Sequence, residues 1–381
     1  MTPNRLLYLP SMAITALLLF LIKALLVRGD TFTQHWSDDP QRKFSGGSFK
    51  YSNTKNFPGS HSMSASLIKL DVGGIRGLHW HTEAEWAFVL SGVCRSAVME
   101  EGKPHPAETW DFREGDVWYF RPNEGHMVQG LEPDGCTYLA GYNSGTFYDP
   151  ASPSMGAWMQ LLPDDIRGQG LGVAALHQNT TDRIPGFIVQ GPKPRASLDD
   201  FKAAVMNPPQ PAVALTHRYP LSQQAPKAES GGGWVIVADV TGFPISADMA
   251  GALVRLEPGG MRQLHWHVNL DEWQYVINGT IQAGVFNSTG HYEESVLRAG
   301  DAGFAPVASG HYFKNIGETE SYVVLIFNAG RFTNVDLTAL VGNIPAETLA
   351  ADLGITEEVA RAMDPSIPTI CPPAFESVKA A

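Results

Sequence analysis

Along most of the chain, apolar and polar residues alternate with a period of two. "LIKLDV" (Leu67 to Val72) and "ALVRLE" (Ala252 to Glu257) place every second side chain on an apolar face, as a half-buried strand does. "EWAFVLSG" and "EWQYVING" are aromatic and β-branched runs ending at Gly92 and Gly279, where a hairpin turn is expected. "GDVWYF" follows a Gly-Asp turn and reads as another short strand. Many short strands separated by turn residues predict an antiparallel sandwich or barrel. Helical spacing is confined to "WMQLLPDDIRGQGLGV", read as a short helix, and to "VDLTALVGNIPAETLAADLGITEEVARAM", where Asp336 and Thr356 are plausible N-caps.

These elements occur twice. "SASLIKLDVGGIRGLHWH" (Ser64 to His81) answers "GALVRLEPGGMRQLHWH" (Gly251 to His267), and "GDVWYFRPNEGH" answers "GDAGFAPVASGH". The offset stays within a residue of 186, which means a duplicated domain and not a solenoid. The expected organisation is a leader at 1–29, a first barrel at 30–160 and a helical, Pro-rich linker at 161–212. A second barrel at 213–335 and a helical segment at 336–381 complete it.

The first residues break the pattern. Arg5 precedes the apolar run "SMAITALLLFLI", and Val27 and Gly29 suit a cut after Gly29, so a cleaved signal peptide is expected. The alternative is a membrane anchor across Leu6 to Val27 with Lys23 snorkelling; only then would the chain have a membrane partner. Sequons at Asn179, Asn278 and Asn287 fit a secreted or cell-wall glycoprotein. Of three cysteines, Cys94 and Cys136 fall in predicted strands and are read as core, with pairing between them the alternative. The formal charge is −12, and removing residues 1–29 takes away three cations and no acid, leaving −15. Such a surface argues against nucleic acid as a partner, and any anion site must be local.

The chemistry lies in the repeated phrase. His79 and His81 are one residue apart, so on a strand both point to one face; Glu85 follows, and His126 comes from a distant strand. The second set is His265, His267, Glu272 and His311. A lone His-x-His pair is usually packing, but a glutamate and a third histidine recurring at matching places mark two metal sites. Three imidazoles and a carboxylate leave two octahedral positions open and suit Mn²⁺ or Fe²⁺, with Zn²⁺, Ni²⁺ and Cu²⁺ compatible by ligand type. The other histidines, His35, His61, His105, His177, His217 and His291, have no counterpart in the other repeat and are read as surface or packing residues.

Gly73-x₅-His79-x-His81-x₃-Glu85-x₆-Gly92 and Gly259-x₅-His265-x-His267-x₄-Glu272-x₆-Gly279 match the first cupin motif, and Gly300-x₅-Pro306 through His311 resembles the second. The chain resembles the bicupin oxalate decarboxylases and their relatives, the bicupin oxalate oxidases. The resemblance implies an all-β fold of two double-stranded β-helix (jelly-roll) barrels with flanking helices. It also implies Mn²⁺, two per chain, with O₂ as co-catalyst or co-substrate, oxalate as substrate and a homo-oligomer. Arg76 and Arg262 stand three residues before the first histidine of each copy. Strand alternation puts them off the ligand face, whereas the resemblance makes them substrate-binding, a role that a guanidinium fork suits.

The resemblance places Asp149 at the lid position of a proton-donating glutamate, one methylene shorter and next to Pro150. That acid decides between formate with CO₂ (decarboxylase, a lyase) and two CO₂ with H₂O₂ (oxidase). Decarboxylase is the first expectation, oxidase the second, and a non-enzymatic metal-binding bicupin the third; a bicupin ring-opening dioxygenase is a further alternative. Arg121 stands where the family has proline, and Glu124 is a candidate extra acid. Leu325 stands where the family's second barrel carries a glutamate, which suggests a catalytic first site and a chiefly structural second one.

Overall fold

The computed structural model describes residues 32–99, 107–172, 186–205, 216–287 and 289–373. The expected leader, Asn179, His105 and His177 lie outside them. The described chain is built from antiparallel strands in two barrels, with the short helices outside the sheets.

In the second barrel two sheets face each other. One contains Glu272–Asn278, Ser321–Phe327, Ala250–Leu256 and Gly233–Ala238; the other contains Thr280–Phe286, Gly310–Asn315 and Met261–Trp266. In the first barrel the corresponding walls are joined, because Glu85–Met99 runs as one strand through both. The hairpins expected at Gly92 and Gly279 are therefore absent. Each glycine has positive φ (75° and 89°) and carries its strand around the corner from one wall to the other. A Cβ at Gly92 would meet the Gly135 carbonyl oxygen at 2.1 Å, so the corner admits only glycine.

Strand alternation is satisfied on both faces. Ala87 and Val89 point into the first barrel with Phe49, Trp118 and Tyr138. Trp86 and Phe88 point out, into a core shared with Trp36 of the N-terminal segment and with Trp273, Tyr275 and Ile326 of the second barrel. Each large side chain sequestered there contributes on the order of 2 kcal/mol.

The domain boundaries cross. Thr33–Gln34, expected in the first barrel, pairs with Ala302–Gly303 of the second; Arg218–Tyr219, expected in the second, pairs with Val117–Trp118 of the first. The exchange is pinned by matching turn carboxylates: Asp301 accepts from Ser37, and Asp116 from Arg218. The linker and the C-terminal segment also return strands to the barrels, Ile188–Gln190 against Gly74–Arg76 and Ile370–Cys371 against Met261–Arg262.

Two local expectations change. Cys94 and Cys136 are not core thiols: they lie on neighbouring strands with Cα atoms 5.4 Å apart and form a disulfide, leaving Cys371 as a buried thiol. The first predicted helix splits into Met155–Leu161 and Asp164–Leu171 around Pro163, which cannot continue a helix. The C-terminal pattern likewise divides into Leu337–Val341, Ala346–Leu353 and Glu357–Arg361.

Candidate metal centres

His79 ends the strand Gly74–His79, and His126 sits directly opposite it on Gly125–Gly130. His81 follows two residues later, and Glu85 opens the next strand. The rings of His79 and His126 are 4.2 Å apart, and Glu85 Oε2 lies 3.4 Å from His81 Nε2 and 3.5 Å from His126 Nε2. Each imidazole donates its Nδ1–H to a backbone carbonyl: His79 to Gly77, His81 to Glu83 and His126 to Glu124, all at 2.8 Å. That fixes the tautomer and turns Nε2 inward as a lone pair. Nε2 of His81 and of His126 is buried without a hydrogen-bond partner.

The second centre repeats the plan. His265, His267 and His311 donate Nδ1–H to Gln263, Thr333 and Ser309 at 2.7, 2.6 and 2.9 Å. Glu272 Oε2 is 3.0 Å from His267 Nε2, and Nε2 of His265 and of His311 is left unpartnered. In each set the four ligand atoms lie within 4.8 Å of one another. Buried lone pairs converging on a carboxylate are costly unless something binds them, and a divalent cation fits that donor set.

The electrostatics agree at His79, His265, Glu85 and Glu272. Burial, with Arg76, His126 and His81 nearby, pushes His79 well below the usual imidazole range, and burial does the same to His265. Burial would raise the Glu85 and Glu272 carboxyls, but the surrounding imidazoles hold both well below the carboxylate range. Neutral imidazoles and ionised carboxylates are the forms that bind metal; at His81, against burial, Glu85 and Asp149 raise the pKa, so there a metal ion would have to displace a proton. Trp118 Nε1 orients Glu85 at 2.8 Å, and Gln274 Nε2 orients Glu272 at 2.7 Å.

The arginines depart from simple alternation. The strand register slips between Arg76 and His79, and again between Arg262 and His265. Each bulge rotates its arginine onto the ligand side. Arg76 is buried, and its Nη2 donates to Asp149 Oδ1 at 2.7 Å; that same oxygen is 3.7 Å from His79 Nε2. Phe187, from the linker, covers the guanidinium face at 4.1 Å. Asp149 opens a single turn, Asp149–Ala151, and is buried. Phe147 beside it packs on His81 and Tyr142, so this segment closes over the centre.

Glu124 is not brought to the metal ligands. Arg121 and His217 take both its oxygens and, against burial, hold it below the carboxylate range; its backbone carbonyl orients His126 instead. His217, read from sequence as a surface or packing residue, is buried between Glu108 and Glu124. Asp336 occupies an N-cap position but makes no cap hydrogen bond; it accepts from Arg262 Nη1 at 2.9 Å. It stands 187 residues after Asp149, within a residue of the repeat offset, a signal that sequence reading passed over.

Two antiparallel barrels, each gripping three histidines and a glutamate with a buried arginine beside them, define a duplicated metal-binding β-barrel protein. The cupin family model matches residues 36–177 and 219–361. The chain is 33% identical to the oxalate decarboxylase of Bacillus subtilis (strain 168) over 326 residues, 85% of this chain and 82% of that one. It is 31% identical to a probable oxalate decarboxylase of Arthroderma benhamiae, over 84% of this chain and 77% of that protein. A solved structure of the Bacillus subtilis oxalate decarboxylase, concerned with its Mn(II) centres, superposes with a TM-score of 0.81 at 30% identity, covering 90% of this chain and 89% of that one. The chain belongs to the cupin family, among the bicupin oxalate decarboxylases.

Proposed function

We propose that this chain is a manganese-dependent oxalate decarboxylase whose first centre converts oxalate and a proton into formate and CO₂. The observation that carries this reading is the buried Arg76–Asp149 pair standing against the metal ligands. His79, His81, Glu85 and His126 would hold manganese, which supplies a Lewis-acidic, redox-active centre for the dianion, with dioxygen as co-catalyst.

The chain's own residues do the rest. Oxalate displaces Asp149 from Arg76, whose fork then holds a carboxylate by paired charge-assisted hydrogen bonds. The released Asp149 carries a proton to the carbon that loses CO₂, and Phe147 and its neighbours exclude water meanwhile. The oxidase outcome is favoured by one feature, the short Asp149 side chain constrained by Pro150. Purified manganese-loaded protein incubated with oxalate, with formate and peroxide assayed together, decides. Formate in step with oxalate consumed is expected; peroxide without formate sinks the decarboxylase reading.

The protein is proposed to be secreted and glycosylated. The Cys94–Cys136 disulfide suits an oxidising compartment, and Asn278 is exposed. No described helix is long and apolar enough to cross a membrane. Exposed apolar side chains on the helices after the first barrel (Trp158 at 54%, Leu161 at 77%) support a homo-oligomer, which sedimentation would test.

A further inference from the structure

The two sets of metal ligands are alike, but the strand beside them carries a tyrosine in one barrel and a phenylalanine in the other. In the first barrel Tyr142 stands between Glu85 and Ser64 on neighbouring strands. In the second barrel Phe327 stands in the same register between Glu272 and Ala250. The two rings keep matching company. Tyr142 lies 5.5 Å from the His81 ring and 4.4 Å from Phe147, which is itself 5.0 Å from His81. Phe327 lies 5.5 Å from His267 and 5.1 Å from Phe332, which is 5.6 Å from His267. A phenylalanine fills this place in the fold, so packing does not account for the phenol oxygen.

That oxygen is costly where it stands. Tyr142 is 1% exposed, and its hydroxyl has no hydrogen-bond partner. The Ser64 hydroxyl in the same row is also buried and unpartnered, where the second barrel has the methyl group of Ala250. A buried hydroxyl that bonds to nothing destabilises a fold, and one kept beside metal ligands implies an acceptor that arrives with a ligand.

The surroundings say what kind of acceptor. Burial first, then Asp149, Glu85 and Tyr138, push the phenol well above the usual tyrosine range. Ser66 acts in the opposite sense, although no hydrogen bond joins the two hydroxyls. The phenol is therefore a neutral donor. Asp149, the charge that bears on it most, is the carboxylate that Arg76 holds 3.7 Å from His79 Nε2. An oxalate that takes the place of Asp149 at Arg76 brings carboxylate oxygens to the same neighbourhood.

We propose that Tyr142 is a substrate-binding residue of the first centre: its hydroxyl, unbonded while Asp149 pairs with Arg76, donates a hydrogen bond to an oxalate oxygen once Asp149 is displaced. This rests on the reading that the first centre acts on oxalate. The anion is then held by a cationic fork and by a neutral phenol that the second centre does not possess.

Tyr142→Phe deletes one oxygen and keeps the ring that Phe327 already shows to fit. Oxalate binding is titrated calorimetrically on the manganese-loaded full chain under nitrogen, with manganese counted in every variant. The first-centre share is the part abolished by Arg76→Ala. Urea unfolding is followed without oxalate. The first-centre dissociation constant should rise about tenfold or more in Tyr142→Phe, the worth of one hydrogen bond to a charged group, and KM for oxalate should rise with it. Manganese content should hold, and the unfolding midpoint should stay equal or increase, because an unbonded buried hydroxyl has been removed. Unchanged oxalate affinity overturns the inference and leaves the proposed function standing. So does a weaker affinity accompanied by lost manganese, a lower midpoint or failure to fold, since the hydroxyl would then serve the fold. A native protein with no Arg76-dependent oxalate binding removes both.

Discussion

His217→Gln removes a cation shared by two buried carboxylates. Its Nδ1 meets Glu108 and its Nε2 lies 3.1 Å from Glu124, so both ring nitrogens face acceptors and the ring is an imidazolium. Burial alone would lower its pKa, but the two carboxylates carry it from 6.5 to about 9, equivalent to about 3 kcal/mol of folded-state stabilisation. The folded-state value lies above the unfolded one, so this contribution is complete below about pH 6.5 and disappears as pH rises through about 9. On the acid side Glu108, held at about 2 by His217, Thr216 and Trp110 against the effect of burial, keeps its share above pH 4.5 and loses it towards pH 2. Urea unfolding of native protein and His217→Gln should therefore differ by about 3 kcal/mol at pH 6 and by little at pH 10. Manganese at the first centre should also weaken selectively, because Glu124 carries the carbonyl that orients His126. An equal loss of stability at both pH values would refute the imidazolium assignment.

Other substitutions probe the centres directly. Arg76→Lys keeps the charge but loses the fork, and kcat/KM for oxalate should fall roughly 10- to 100-fold, the worth of one or two charge-assisted hydrogen bonds. Asp149→Asn fills the same space without an acid, so formate production should drop about 100-fold or more, whereas Asp149→Glu should restore reach and raise the ratio of formate to peroxide. Paired Cys94→Ser and Cys136→Ser changes release a cross-link spanning 42 residues and should cost up to about 4 kcal/mol, read as a lower unfolding temperature at unchanged manganese content.

The duplication, the β character and the two clusters of candidate metal ligands were legible in the sequence because each rests on local information. A His-x-His spacing shares a face on any strand, and a repeated phrase folds twice. What the tertiary structure decided involves partners far apart in the chain. The bulges that turn Arg76 and Arg262 inward depend on how His79 pairs with His126 and His265 with His311, which no alternation rule contains. Cys94 meets Cys136 only because their strands become neighbours in the first barrel. His217 becomes an imidazolium only when the second repeat's leading strand crosses to the first barrel and carries it between Glu108 and Glu124. Asp336 has the spacing of a helix cap, yet it serves Arg262, because a buried guanidinium competes for a carboxylate more strongly than a helix N–H does. Periodicity chooses the face a side chain takes; the partner it meets there is chosen by the closing of the barrels.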